Sequence, residues 1–247
     1  MKKNIINIGK EVINIENKGL KILAKSINNN FVKAIEILKK TKGRIILTGI
    51  GKSGIIANKI SSTLSSTGSP SQFIHPSEAS HGDLGMLSRK DSIVALTFSG
   101  KTNELNDIFF YSKKNKIPLI IITSKSSSNL KQVAKVCIEL SNLKEACPLG
   151  LTPTTSTTAM IALGDAIAIT LMKLKKFTQK DFYSLHPGGE LGKKLLLVKN
   201  IMHKGNQIPL VGEKILMNSV IIEMTKKRLG CVGVVSKNKK LTGIITD

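Results

Sequence analysis

Two stretches rich in glycine and hydroxyl side chains carry the first chemical signal in this sequence. Gly49-Ile50-Gly51-Lys52-Ser53-Gly54 follows an apolar run and opens a helix-like segment. Backbone N–H groups at such a strand-to-helix junction face an anion, and the helix dipole favours it, so the expected ligand is a phosphate. Thr97-Phe98-Ser99-Gly100-Lys101-Thr102 is a second loop of this kind. At the ends of neighbouring strands the two could share one phosphate monoester. Each alone is ambiguous, because Ser and Thr cap helices generally.

Other readings of the first loop fail on particular residues. It matches G-x-G-x-x-G, but a dinucleotide site wants an acid at the end of the second strand, where this chain has His75-Pro76, with Glu78 beyond. For a P-loop the first glycine would fall on Ile46, and for a nucleophile elbow a glycine is needed at Ile55. What remains is a phosphate loop containing a lysine, or a plain tight turn with a solvated Lys52. His75 and His81, six residues apart, are either packed or capping residues or, with Asp83, metal ligands, although their spacing matches no strong zinc pattern. Glu104 suits the first turn of a helix on dipole grounds alone. Glu145, in a loop, and His186, before Pro-Gly-Gly, are ambiguous by themselves.

The elements that must position these residues follow from periodicity. Residues 5–40 place Ile8, Val12, Ile15, Leu20, Leu23, Ile27, Phe31, Ile35 and Leu38 at helical spacing, as one or two amphipathic helices. Apolar runs at 44–48, 71–74, 92–98, 117–123 and 136–140 read as strands, with helices expected at 53–66 and 103–115 and a short one before the fifth strand. A longer helix spans 153–175, and 186–195 is turn-rich. Strands alternating with helices predict an α/β fold whose parallel sheet is covered on both faces. In such sheets ligands sit beyond the carboxyl ends of the strands, where residues 48–54, 75–81, 97–104 and 141–147 all fall. From 199 the texture changes to a strand–helix–strand–strand unit, with a linker near 196–200.

Composition narrows the partners. The formal charge is +22, from 38 Lys and Arg against 16 Asp and Glu. It comes almost wholly from scattered lysines, Arg44, Arg89 and Arg228 being the arginines. With no helix-turn-helix or RNA-binding aromatic motif, no nucleic-acid partner is expected. No run of 18 apolar residues suggests a membrane span, and the N-terminus is too polar after Lys3 for a signal peptide. The expected location is therefore cytoplasmic, with Cys137, Cys147 and Cys231 as reduced thiols.

Assembled, the stretches TGIGKSG, STGSPSQFIHPSEASHGDLGML, KEACPLGLTPTTSTTAMIALGDAIA and HPGGELGKKLL resemble the sugar-isomerase (SIS) family. The match runs over about 44–195 within an SIS domain at 1–195. The tail at 199–247 resembles the first of the paired CBS modules found in some members, incomplete and without the second. The resemblance implies a three-layer α/β sandwich with a five-stranded parallel sheet, followed by a partial α+β CBS module. It also implies a cytoplasmic homotetramer acting on a sugar phosphate. The implied reaction interconverts D-ribulose 5-phosphate and D-arabinose 5-phosphate through an enediol, toward the Kdo sugar of lipopolysaccharide.

The same resemblance assigns roles to residues. Lys52, Glu104, Glu145 and His186 form the catalytic set: Glu104 or Glu145 as proton-transfer base, Lys52 on the enediolate oxygen, His186 opening the sugar ring. Ser53, Ser99 and Thr102 would hold the phosphate, Gly68, Ser69, His75 and His81 would line the sugar, and Thr97 would also contact the substrate. No cofactor is required, and zinc at His75 would be incidental or inhibitory. Where the family reads S-x-S-G-E-[ST], this chain has Lys101 after Ser99-Gly100. An isomerase of another ketose phosphate, or a phosphosugar sensor that binds without turnover, would use the same site.

Overall fold

A computed structural model describes residues 2–186 and 197–247, and the chain divides into two compact units, Met1–Gly189 and Glu190–Asp247. Of the turn-rich 186–195 motif, only His186 lies within the described residues.

In the first unit, β1 (Ile45–Gly49), β2 (Ser71–Phe73), β3 (Ser92–Leu96), β4 (Leu119–Thr123) and β5 (Val136–Glu139) form one sheet in the order β2-β1-β3-β4-β5. Every pairing is parallel. The central strands are buried along their whole length, which is why they read as continuous apolar runs. Their side chains still alternate. Ile45, Leu47, Val94, Leu96, Ile120 and Ile122 join one core, while Ile46, Ile93, Ala95, Leu119 and Ile121 join the other. The first core is closed by α1 (Lys2–Ser26), α2 (Asn29–Lys40), α3 (Gly51–Ser66) and α7 (Thr155–Leu174). The second is closed by α4 (Pro76–Ser80), α5 (Asn106–Asn115) and α6 (Ser128–Val133). The result is the three-layer α/β arrangement expected from the alternation of strands and helices.

The N-terminal helical region breaks in two because Asn28 takes an extended conformation and its side chain accepts the Asn30 N–H at 2.8 Å. The first half of α1 extends past the core and leaves Ile5, Ile6, Ile8 and Ile13 more than half exposed. Helix α7 is long and apolar enough, by composition, to cross a membrane. Here it is a core helix, with Ala159, Met160, Leu163, Ile167, Ala168 and Leu171 buried against the sheet and its neighbours. Two helices of this unit escaped the periodicity reading because they are too short to show a period. Helix α4 starts at a Pro in its first position. Helix α8 (Gln179–Leu185) is announced by a capping box between Thr178 and Asp181.

The second unit contains α9 (Val198–Ile201), β6 (Leu210–Gly212), α10 (Met217–Lys227), β7 (Cys231–Val235) and β8 (Leu241–Thr246). Its sheet runs β6-β7-β8, with β6 parallel and β8 antiparallel to β7. Val220 and Val232 are buried, while Leu216, Ile222 and Ile244 stand exposed.

Candidate active site

The strand order determines where a ligand can lie. The chain leaves β1 toward β2 on one side and returns to β3 on the other, so the carboxyl ends of β1 and β3 part at a topological switch point. Both hydroxyl-rich loops flank that crevice. The first turn of α3 sits directly on the end of β1: a Cβ on Gly54 would come within 2.6 Å of the Gly49 carbonyl oxygen. Only glycine permits that approach. The N-cap of α3, Ile50, supplies no side-chain cap, so the first N–H groups of this helix remain for an anion. Thr48, at the end of β1, is fully buried and its hydroxyl has no partner among the described residues.

On the β3 side, the Thr97 and Thr102 hydroxyls hydrogen-bond each other at 2.8 Å, and Ser99 Oγ accepts the Lys101 N–H at 3.3 Å. Lys52 is exposed and Ser53 half-buried on the β1 loop, and Glu104 is exposed on a short 3₁₀ turn (Asn103–Leu105) just beyond the β3 loop. His75 follows β2 at the same edge of the sheet. It caps α4, accepting the Ser77 N–H on Nδ1 at 3.3 Å, while His81 closes that helix. Both imidazoles are exposed. Among the described residues no three His, Cys, Asp or Glu side chains are grouped to hold a metal ion.

Glu145 reaches the same edge on the loop after β5, with a different task. Its Oε2 accepts the Thr154 N–H at 2.8 Å, the Thr154 hydroxyl at 3.0 Å and the Ser156 N–H at 3.3 Å. The carboxylate thus caps α7, and Thr154 Oγ in turn accepts the Ala146 N–H at 2.9 Å. Burial raises its pKa, but the hydrogen bonds from Ser156 and Thr154 outweigh that and hold it below the usual glutamate value. A carboxylate so committed is a weakened base. Glu104 has no such engagement among the described residues.

Three of the expected site residues stand apart from the β1–β3 crevice within one chain. Gly68 and Ser69 precede β2, at the amino edge of the sheet, and are separated from the β1 loop by the length of α3, roughly 24 Å at 1.5 Å per residue. There Lys175 donates to Ser69 Oγ at 2.8 Å and to the Gly68 carbonyl at 3.4 Å, and Phe177 packs over Gly68. Burial lowers the Lys175 pKa. These residues tie the end of α7 to the sheet and do not line the crevice of their own chain. His186 is likewise not brought to Lys52 and Glu104 by any contact among the described residues. It ends α8, its ring stacked on Phe182 at 3.9 Å with Nδ1 2.9 Å from the Phe182 carbonyl oxygen.

Sequence reasoning missed two features. Lys125 and Ser126, after β4, border a cleft beside the β3 loop, and no motif marks them. Cys147, read only as a reduced thiol, has its pKa lowered to about 7 by the N–H and hydroxyl of Thr152 and the N–H groups of Leu151 and Leu149.

The SIS domain family model matches residues 37–170. The arabinose 5-phosphate isomerase KdsD of Shigella flexneri is 45% identical over 240 residues, 97% of this chain and 73% of the relative. The protein of the same description from Francisella tularensis is 45% identical over 246 residues, 98% of this chain and 75% of the relative. Among solved structures, the Escherichia coli CFT073 protein c3406 in complex with arabinose 5-phosphate superposes with a TM-score of 0.73 at 37% identity, covering 76% of this chain and all of that one.

Proposed function

The chain belongs to the SIS-domain family of sugar-phosphate isomerases, and from that membership we propose that it interconverts D-arabinose 5-phosphate and D-ribulose 5-phosphate. The observation that carries the reading is the 45% identity, over 97% of the chain, to a curated arabinose 5-phosphate isomerase. Glu104 removes the proton from C2 of the open-chain aldose. The electron pair enters the C1–C2 bond, and the C1 oxygen, now an enediolate, is held by the Lys52 ammonium. The proton returns at C1, and the C2 hydroxyl proton passes to O1, leaving the ketose. Preorganised charge such as Lys52 ordinarily supplies the largest catalytic share, and a positioned base adds roughly 10²–10⁴-fold. Glu145 orients the site from its cap on α7. Thr97, Ser99 and Thr102 take the phosphate, with Ser53, His75 and His81 toward the sugar.

His186 acts as the acid–base for ring opening, protonating the furanose oxygen while the anomeric hydroxyl loses its proton. Its position, held by its own helix, supports delivery from a neighbouring subunit of a homotetramer. The enzyme works in the cytoplasm toward Kdo and lipopolysaccharide, and residues 199–247 form the first part of a CBS module. No metal takes part. Lys52 fills the Lewis-acid role, and zinc captured at His75 obstructs the sugar.

The test is exchange at C2 of arabinose 5-phosphate in deuterated water, followed by NMR with and without chelator. Exchange accompanied by ribulose 5-phosphate is expected, unchanged or faster with chelator, and reduced about 10²-fold or more in Glu104→Gln. Binding without exchange would make the chain a sensor. Full turnover in Glu104→Gln would remove that residue as base, and loss of activity with chelator would overturn the metal-free route.

A further inference from the structure

Beside the β3 loop lies a cleft of about 770 Å³, between the turns that follow β3 and β4. That volume is typical of small-molecule sites and exceeds what a phosphate alone fills. Thr97, Ser99, Lys101 and Thr102 line it from one turn, Lys125 and Ser126 from the other, and no carboxylate is among its lining. Glu139, an acid that touches this wall, is engaged by the N–H and hydroxyl of Ser126 and stays out of the cleft.

The two turns are fixed against each other at Gly100. Its φ is +68°, and a Cβ there would lie 3.2 Å from Leu130 Cδ1 and 3.3 Å from Thr123 Oγ1. Ser124 N–H donates to the Phe98 carbonyl at 2.9 Å, and the Thr123 hydroxyl donates to the same oxygen at 3.3 Å. The backbones bearing Lys101 and Lys125 are therefore held in register. Among the described residues neither lysine has an ion-pair partner. Lys101 directly follows Gly100 within the hydroxyl-rich β3 loop.

We propose that Lys101 and Lys125 clamp the phosphate of the sugar phosphate within this cleft, leaving the reacting end of the sugar to reach the β1–β3 crevice. The identity of the ligand rests on the isomerase reading, whereas the clamp rests on the cleft itself. Two cations facing hydroxyl groups suit a phosphate dianion because charge-assisted hydrogen bonds are the strong ones. The chemistry also makes the clamp sensitive to salt.

The experiment measures inorganic phosphate binding to the full chain by calorimetry, alongside steady-state kinetics with arabinose 5-phosphate. Lys101→Glu and Lys125→Ala should each weaken phosphate binding and raise KM about 10-fold, roughly 1.4 kcal/mol, with kcat changing by a smaller factor. Lys101→Arg should restore phosphate binding to within about 3-fold of the parent, since guanidinium also pairs with phosphate. Circular dichroism confirms the fold, and Lys125→Gln replaces Lys125→Ala if the latter unfolds. Phosphate affinity unchanged in folded Lys101→Glu or Lys125→Ala overturns the clamp. Lysine-dependent phosphate binding without proton exchange would sustain the clamp and sink the isomerase reading. Turnover with lysine-independent phosphate binding would do the reverse.

Discussion

At the scale of single residues, environment separates two glutamates that are chemically identical. Glu104 sits exposed just beyond the β3 loop, while Glu145 accepts three hydrogen bonds at the start of α7. Because the folded protein holds the Glu145 pKa below its ordinary value, the charged form stabilises the fold. That contribution is complete above the unfolded value of about 4.3 and disappears as pH falls through the lower folded one. Glu145→Ala should cost about 1 kcal/mol, as the loss of a helix cap does, measured by urea unfolding at neutral pH. The difference in Tm between parent and variant should close on acidification below the glutamate range. A difference that persists at low pH would mean that packing, and not the charge, is what Glu145 contributes.

At the scale of elements, the site depends on α3 and α7 being pressed together. Gly164 of α7 faces Ile60 of α3 so closely that a Cβ would lie 2.3 Å from Ile60 Cγ1 and 2.5 Å from Cδ1. Ile60 is fully buried and has nowhere to go. Gly164→Ala adds helix propensity of about 1 kcal/mol, but overpacking costs about 1–3 kcal/mol, so net destabilisation is expected by thermal or urea unfolding. Combined with Ile60→Ala, which empties the space, the alanine at 164 should cost less than it does alone. Strict additivity of the two changes would show that the helices do not meet there.

At the scale of the whole molecule, one chain gathers Lys52, Glu104 and Glu145 at one edge of the sheet and leaves His186 on its own helix. If a neighbouring subunit supplies that histidine, two inactive variants can repair each other. Glu104→Gln and His186→Asn, unfolded together and refolded as a mixture, should regain about a quarter of parental turnover if subunits pair at random in a two-fold assembly. No recovery would place both residues in the same chain's site. The unpartnered Ile5, Ile6, Ile8 and Ile13 on α1 form the kind of surface that subunit association covers.

Local chemistry sufficed for much of this protein. The five strands are legible because fully buried parallel strands must be apolar throughout, as Ile45-Ile46-Leu47 and Leu119-Ile120-Ile121-Ile122 are. The strand-to-helix loops are legible because a helix seated on a strand end requires glycine at Gly49 and Gly54, and because Thr97, Ser99 and Thr102 cluster hydroxyls after the third strand. The resemblance to the SIS family rests on the first of these loops together with the stretches at 66–87, 144–168 and 186–196. Periodicity says nothing about distance across the fold, and that is where tertiary structure decided the outcome. It carried Gly68 and Ser69 to the opposite edge of the sheet along α3 and gave them to Lys175. It turned Glu145 into the cap of a helix that begins ten residues later. It also brought Lys125 and Lys101 to one cleft, because parallel pairing of β3 with β4 brings the ends of strands distant in sequence to a common edge.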